Sequence, residues 1–303
     1  MSAVATRRRR RNPLTRWWKD PWRKPRLLET LTWAYLIWAL VPVIVAVLFS
    51  FNNGRSRSAW QGFSLQWWLP PSTSDTESLW RRPDLTQALQ QSVKLALLTM
   101  VIAVPLGVLF AIGIDRWRGR GSGTANFSML FSFVIPEIIL GVSLYLLFTN
   151  LLKAVLGLGT TAQAIGLITF QISYPVIIVR ARLLSIGKEY EEAAMDLGAT
   201  ATQAVRRVLL PLLYPAIFAS AAIVFADALD DFVTVQALQG GAPTETFAIK
   251  IYTVSRASPT PAINAGATTL LVVALVVVTL GLVGYRRFSR GQRGGDAANF
   301  AQL

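Results

Sequence analysis

Long apolar windows alternate with short polar segments along almost the whole chain. Each window is close to the ~20 residues that a helix needs to cross a hydrocarbon layer ~30 Å thick. Part of the last window, Leu270–Val278, reads LLVVALVVV and lacks the polar face of a soluble amphipathic helix. The pattern therefore predicts an all-α membrane protein. Its six predicted transmembrane helices are Leu31–Phe51, Val93–Ile114, Phe127–Thr149, Ala162–Val179, Leu212–Leu238 and Ala265–Tyr285.

The basic residues predict the orientation of these helices. With the N-terminus inside, the segments 1–30, 115–125, 180–208 and 286–303 hold 22 of the 30 Lys and Arg residues, and the outer segments hold seven. Cytoplasmic segments of membrane proteins carry such an excess. We therefore expect a multi-pass protein of the plasma membrane, embedded in lipid, with both termini in the cytoplasm.

The same pattern divides the chain into three parts. We expect a basic cytoplasmic N-terminal extension at 1–30, a six-helix transmembrane domain at 31–285 and a cytoplasmic tail at 286–303. The net charge of +14 and the run RRRRR at Arg7–Arg11 are also found in nucleic-acid-binding proteins. Because the inner segments account for most of the charge, we assign Arg7–Arg11 an orientation role and expect no nucleic-acid partner.

The composition excludes most enzyme chemistry. The chain contains no His and no Cys, which removes Ser-His-Asp and Cys-His nucleophiles, thiolate clusters and imidazole zinc sites. Gly187-Lys188 is followed by Glu189 rather than Ser or Thr, so it is not a phosphate-binding Walker A loop. We expect no catalytic residues, no bound metal and no nucleotide cofactor on this chain.

A polar segment at 185–211 separates the fourth and fifth windows on the predicted inner side. Lys188–Leu197 is predicted to form a short helix that ends at Gly198, because glycine accepts the left-handed conformation. Thr200–Gln203 has the spacing of a capping box and predicts a second short helix. Pro211 suits the start of the next long helix. We call the whole segment the elbow.

The elbow contains a motif, EAA-x3-G-x9-hydrophobic-x-LP, that resembles the coupling motif of ABC importer permeases. Its residues here are Glu192, Ala193, Ala194, Gly198, Val208, Leu210 and Pro211. The resemblance implies the type I importer fold and an elbow that inserts into a cleft of a separate ATPase subunit, where ATP and Mg are bound. It also implies a second permease subunit, two ATPase subunits and an external substrate-binding protein as partners.

Three further stretches resemble the second permease subunit of spermidine/putrescine importers: Phe51–Trp68, Leu229–Thr253 and Ser258–Val273. This resemblance implies that the solute is a polyamine. Related importers of 4-aminobutyrate, opines or other small solutes share the general layout, so these substrates remain alternatives.

Four acidic residues fall inside the apolar windows: Glu137, Asp227, Asp230 and Asp231. Ionisable groups at membrane depth are costly and usually face a partner or water. The three aspartates stand at positions i, i+3 and i+4, on one face of a helix, where they can attract a di- or triamine. Alternatively, the acids pair within the protein, for example with Lys94 or Arg180. Three aromatic residues are candidates either for cation–π contacts with the solute or for packing: Phe225, Phe232 and Tyr252.

The outer segment Gly240–Thr260 places Phe247, Ile251 and Val254 at helical spacing. It predicts a short surface helix, either part of the seat of the substrate-binding protein or a simple cap over the helix bundle.

Two other function classes fit parts of this pattern. A secondary transporter would also place carboxylates in the membrane but would not need the elbow. A membrane enzyme would be restricted to acid-pair chemistry. We therefore expect an ABC importer permease.

Overall fold

The computed structural model describes residues 26–56, 59–69, 78–117, 119, 121, 123–124, 127, 134–257 and 260–300. Arg7–Arg11 and most of the basic extension lie outside these residues. The described chain is helical, and its only strand-like pairing is an isolated bridge between Asn52 and Phe63. The helices are α1 (Arg26–Phe49), α2 (Pro83–Arg116), α3 (Glu137–Leu146), α4 (Thr160–Gln171), α5 (Ser173–Ile186), α6 (Glu189–Asp196), α7 (Ala201–Ala204), α8 (Leu210–Asp230), α9 (Val233–Ala237), α10 (Phe247–Ala257) and α11 (Pro261–Phe300).

Five helical stretches of the described chain are long and apolar enough to cross a membrane: Leu27–Phe49, Pro83–Arg116, Thr160–Ile186, Ala201–Asp230 and Pro261–Gly284. They confirm five of the six predicted crossings. The third predicted crossing corresponds to a shorter apolar stretch, Glu137–Leu151, and residues 128–133 of its window lie outside the described residues.

The chain divides into two units, residues 1–46 and residues 47–303. The first unit contains most of α1, whose side chains are apolar on nearly all sides and exposed, including Trp33, Ile37 and Trp38. A helix without a polar face suits a lipid environment.

The core of the second unit lies between α2, α5 and α8. Most of its buried residues are small or β-branched, among them Ala103, Val179 and Ala216. Gly107 on α2 permits a close approach to α5, because a Cβ there would lie 2.4 Å from Cγ of Pro175. Packing of membrane helices relies on such small residues, since lipid supplies no hydrophobic driving force between helices.

A separate cluster forms a lobe at the N-terminal end of α2. Trp67 is buried there with Leu79, Leu85 and Phe247, and its indole N–H donates to the carbonyl oxygen of Asn52 at 2.7 Å. The lobe explains why α2 begins at Pro83, ten residues before the predicted start: its polar first turns pack outside the apolar window.

Two other predicted boundaries differ from the structure. The fifth crossing ends at Asp230 rather than at Leu238, and α11 continues as helix to Phe300 instead of ending at Tyr285. The first difference has a local cause, because the backbone leaves the helical conformation at Asp231 (ψ 122°). The second difference arises because the predicted end at Tyr285 rests on the apolar pattern. That pattern indicates which residues lie within the membrane, and a helix can continue beyond it.

Candidate functional site

The first half of the elbow has the predicted geometry. Helix α6 ends in a Schellman motif: the N–H of Gly198 donates to the carbonyl of Met195 at 2.9 Å, and the N–H of Ala199 donates to that of Ala194 at 3.0 Å. Gly198 has a φ of 89°, the left-handed conformation that this motif requires. The prediction that Gly198 ends this helix in the left-handed conformation is confirmed.

The second half of the elbow differs from the prediction. The capping box is present, since Thr200 Oγ1 accepts from the N–H of Gln203 at 3.4 Å and Gln203 Oε1 accepts from the N–H of Thr200 at 3.0 Å. The helix that it starts is not short, however, and runs through a π-helical turn, Val205–Leu209, directly into α8. Pro211 has no N–H, and its ring crowds the carbonyl of Arg207 four residues earlier. A π-helical turn offers the wider backbone that such a residue needs.

The motif residues have different exposures. The first half presents Glu192, Ala193 and Gly198 on the surface, with Ala194 half-buried. Leu197 is 90% exposed at the tip. The second half, Val208, Leu210 and Pro211, is half-buried along the continuous helix. The exposed half is thus free to meet another protein.

One buried contact of the elbow was not predicted from the sequence. Glu191 is buried and accepts a hydrogen bond from Arg116, the last residue of α2. The doublet Glu191-Glu192 contained a signal, because adjacent helical residues face different directions and the two acids therefore have different surroundings.

The four intramembrane acids come together around the end of α8. Asp227 accepts a hydrogen bond from Gln171 Nε2 of α4 at 2.5 Å. Asp230 interacts electrostatically with Asp227 and is exposed. Glu137, at the start of α3, lies within hydrogen-bonding reach of Asp231. We call these four residues the acid cluster: Glu137, Asp227, Asp230 and Asp231.

Asp231 has a local structural role within this cluster. It is buried, and Oδ1 of its carboxylate accepts hydrogen bonds from the N–H groups of Thr234 at 3.0 Å and Val235 at 3.2 Å. These are the first turn of α9, so Asp231 caps that helix. The crossing is therefore interrupted at the acid cluster, where the C-terminal end of α8 carries a partial negative charge.

The described residues contain no ion pair between the acid cluster and either Lys94 or Arg180.

The three aromatic candidates have different surroundings. Phe225 is fully buried, so it packs in the core. The ring centroids of Phe232 and Tyr252 lie 5.0 Å apart, and the guanidinium carbon of Arg256 lies 4.3 Å from the centroid of the Tyr252 ring. Tyr252 thus already faces a cation from its own chain.

The predicted surface helix in Gly240–Thr260 is present as α10. It is held on the beginning of α2, because Lys250 Nζ lies 3.5 Å from Asp84 Oδ2 and the N–H of Phe247 donates to Ser92 Oγ at 2.8 Å. These contacts are those expected of a cap over the helix bundle. The second hypothesis, a seat for a substrate-binding protein, stays a prediction.

Comparison with known sequences agrees with this architecture. Residues 103–294 match the family described as "Binding-protein-dependent transport system inner membrane component". The spermidine/putrescine transport system permease protein PotC of Shigella flexneri is 32% identical over 267 residues, 88% of this chain and 95% of that protein. The putrescine transport system permease protein PotI of Escherichia coli (strain K12) is 30% identical over 271 residues, 88% of this chain and 89% of that protein.

Solved structures with the same fold are ABC transporters. A chain of a bacterial ABC transporter involved in the import of the acidic polysaccharide alginate superposes with a TM-score of 0.67 at 19% identity, over 90% of this chain and 99% of that chain. A chain of the MetNI methionine ABC transporter superposes with a TM-score of 0.54 at 21% identity, over 67% and 93%. The chain has the type I importer fold and belongs to the family of binding-protein-dependent transport system inner membrane components, the membrane permeases of ABC importers.

Proposed function

We propose that this chain is one of two permease subunits of an ATP-driven importer that carries a polyamine, spermidine or putrescine, into the cytoplasm. The relatives named above are spermidine/putrescine and putrescine permeases, and they align over nearly their whole length. The observation that carries the proposal is the acid cluster, because it supplies negative charge at membrane depth along the crossing that continues from the elbow.

The acid cluster suits a polycation for two physical reasons. Asp227 is half-buried and Asp230 is exposed, and the described residues provide them with no cationic partner. The C-terminal end of α8 adds its helix dipole, and broken membrane helices bind ions in other transporters in this way. An ammonium group at ~4 Å from one carboxylate gains about 1–4 kcal/mol, depending on the local dielectric.

The elbow provides the coupling to ATP. We infer that Glu192, Ala193, Ala194 and Gly198 dock into a cleft of a separate ATPase subunit, which binds ATP and Mg. The helix that begins at Ala201 reaches Asp230 without interruption, about 44 Å away at 1.5 Å per residue. Movement of the elbow is therefore carried along one helix to the acid cluster, as alternating access requires. A second permease and an external substrate-binding protein complete the proposed assembly.

The orientation follows from the charge distribution and stays a proposal. With both termini in the cytoplasm, the elbow lies inside and α10 outside. Single cysteines at Thr202 and Gly241 can test this, because the chain has no cysteine of its own. An impermeant maleimide added to intact cells should label the Gly241→Cys variant and leave the Thr202→Cys variant unlabelled. Labelling of both from outside would refute the topology.

Uptake into proteoliposomes tests the substrate. The complete complex, with its substrate-binding protein, should accumulate labelled spermidine or putrescine only when ATP is enclosed on the ATPase side. Excess 4-aminobutyrate should not compete. Uptake of 4-aminobutyrate without polyamine uptake would overturn the substrate assignment and leave the ABC permease in place.

A further inference from the structure

The contact between Arg116 and Glu191 joins two elements that are far apart in sequence. Arg116 is the last residue of α2, and Glu191 lies in the first turn of α6. Each charge complements the dipole at its helix end, because a C-terminus favours a cation and an N-terminus favours an anion. Arg116 also lies 3.4 Å from Asp115 Oδ2 on its own helix. We call Arg116 and Glu191 the clamp.

The clamp attaches α6 to α2, and α6 also packs against the π-helical turn Val205–Leu209. Glu191 is the one buried residue of this eight-residue helix, whereas Tyr190 and Glu192 beside it are exposed. A helix this short is not stable alone in water. Because α6 buries no apolar side chain of its own, its attachment to α2 is this charged contact and not an apolar stripe. A buried carboxylate that loses its partner is strongly penalised, so the contact is specific for its partner and its geometry.

Arg116, the other residue of the clamp, ends a helix that extends across the protein. Helix α2 runs through 34 residues, about 50 Å, from Arg116 to Pro83. It packs against α5 and α8 in the core. At its far end Asp84 contacts Lys250 of α10.

We propose that the clamp is a second transmission route, which carries movement of the elbow into α2 while the continuous helix carries it into α8. This inference rests on the proposed coupling function. Arg116 and Glu191 are positioning residues, because they act on the docked elbow and touch neither solute nor nucleotide. The expected consequence is that α2 responds to ATP only while the clamp is intact.

Hydrogen–deuterium exchange on the complete complex in lipid nanodiscs tests the clamp without any solute. Exchange in the inner half of α2 is compared with and without ATP plus orthovanadate. We expect a nucleotide-dependent change in the wild type that falls about fivefold or more in Arg116→Gln and in Glu191→Gln. The double variant should lose no more than either single variant, as expected of a coupled pair. All variants should still copurify with the ATPase.

Two controls separate transmission from folding. Arg116→Lys keeps the charge and should keep most of the response. Asp115→Asn removes the other carboxylate at the same guanidinium without touching α6, and should respond like the wild type. A nucleotide-dependent change in exchange in the Gln variants equal to that of the wild type would overturn the proposal. The absence of this change in wild-type α2 would also overturn it, and so would failure of the clamp variants to assemble. A wild-type chain that does not copurify with an ATPase would refute the coupling function as well, whereas failure of polyamine uptake alone would leave the clamp unaffected.

Discussion

The elbow and the acid cluster lie at opposite ends of one helical stretch, Ala201–Asp230, and are held in shape in different ways. The elbow is shaped by hydrogen bonds between near neighbours, in the Schellman motif at Gly198 and the capping box at Thr200. The acid cluster is shaped by contacts from other elements, such as Gln171 of α4 and the backbone of α9. A substitution at Gly198 should therefore act through the backbone, and one at Asp227 or Asp230 through charge.

The largest effect is expected at Gly198. Proline cannot adopt its φ of 89° and removes the N–H that donates to Met195, so Gly198→Pro should destroy the turn between α6 and α7. We expect transport to fall by more than about tenfold and copurification of the ATPase to fall with it, since strain of this kind costs several kcal/mol where it can be adopted at all.

Gly198→Asn is the matched control for this prediction. Asparagine tolerates the left-handed conformation better than other side chains, and no heavy atom lies within 4 Å of a Cβ at this position. It should retain most of the transport activity. Equal loss in both variants would mean that the docking partner, and not the backbone, restricts this position.

The contrast between the regions also explains what the sequence could predict. Gly198 and the spacing of Thr200 and Gln203 are local signals, and the structure has both features. The break at Asp231 depends on α9 folding back against α3, where Gly141 faces Val233 and Ala237. Hydropathy continues across that break, so no local pattern indicates it. In the same way, Arg116 meets Glu191 only after α2 and α6 are assembled.

A smaller effect is expected at Asp227 and Asp230 of the acid cluster. The double change Asp227→Asn and Asp230→Asn keeps side-chain size and removes two charges. Losing even 1.4 kcal/mol of attraction corresponds to about tenfold, so we expect spermidine uptake to fall by about that factor. Putrescine should be affected less, because it has two ammonium groups instead of three. Assembly with the ATPase, measured by copurification, should stay intact. Unchanged uptake with intact assembly would place these aspartates outside the solute pathway.

The smallest effect on uptake is expected at Asp231. Substitutions there distinguish a carboxylate that attracts the solute from one that caps a helix. Asp231→Ala removes the acceptor for the N–H groups of Thr234 and Val235, and loss of such a cap typically costs about 1 kcal/mol. Its thermal unfolding midpoint in detergent should therefore fall. Asp231→Asn keeps an acceptor oxygen, so its midpoint and its uptake should stay close to those of the wild type. If the Asn variant instead transports as poorly as the double variant at Asp227 and Asp230, the buried carboxylate contributes charge to the pathway. The division of the cluster into a charged pair, Asp227 and Asp230, and a structural cap, Asp231, would then be wrong.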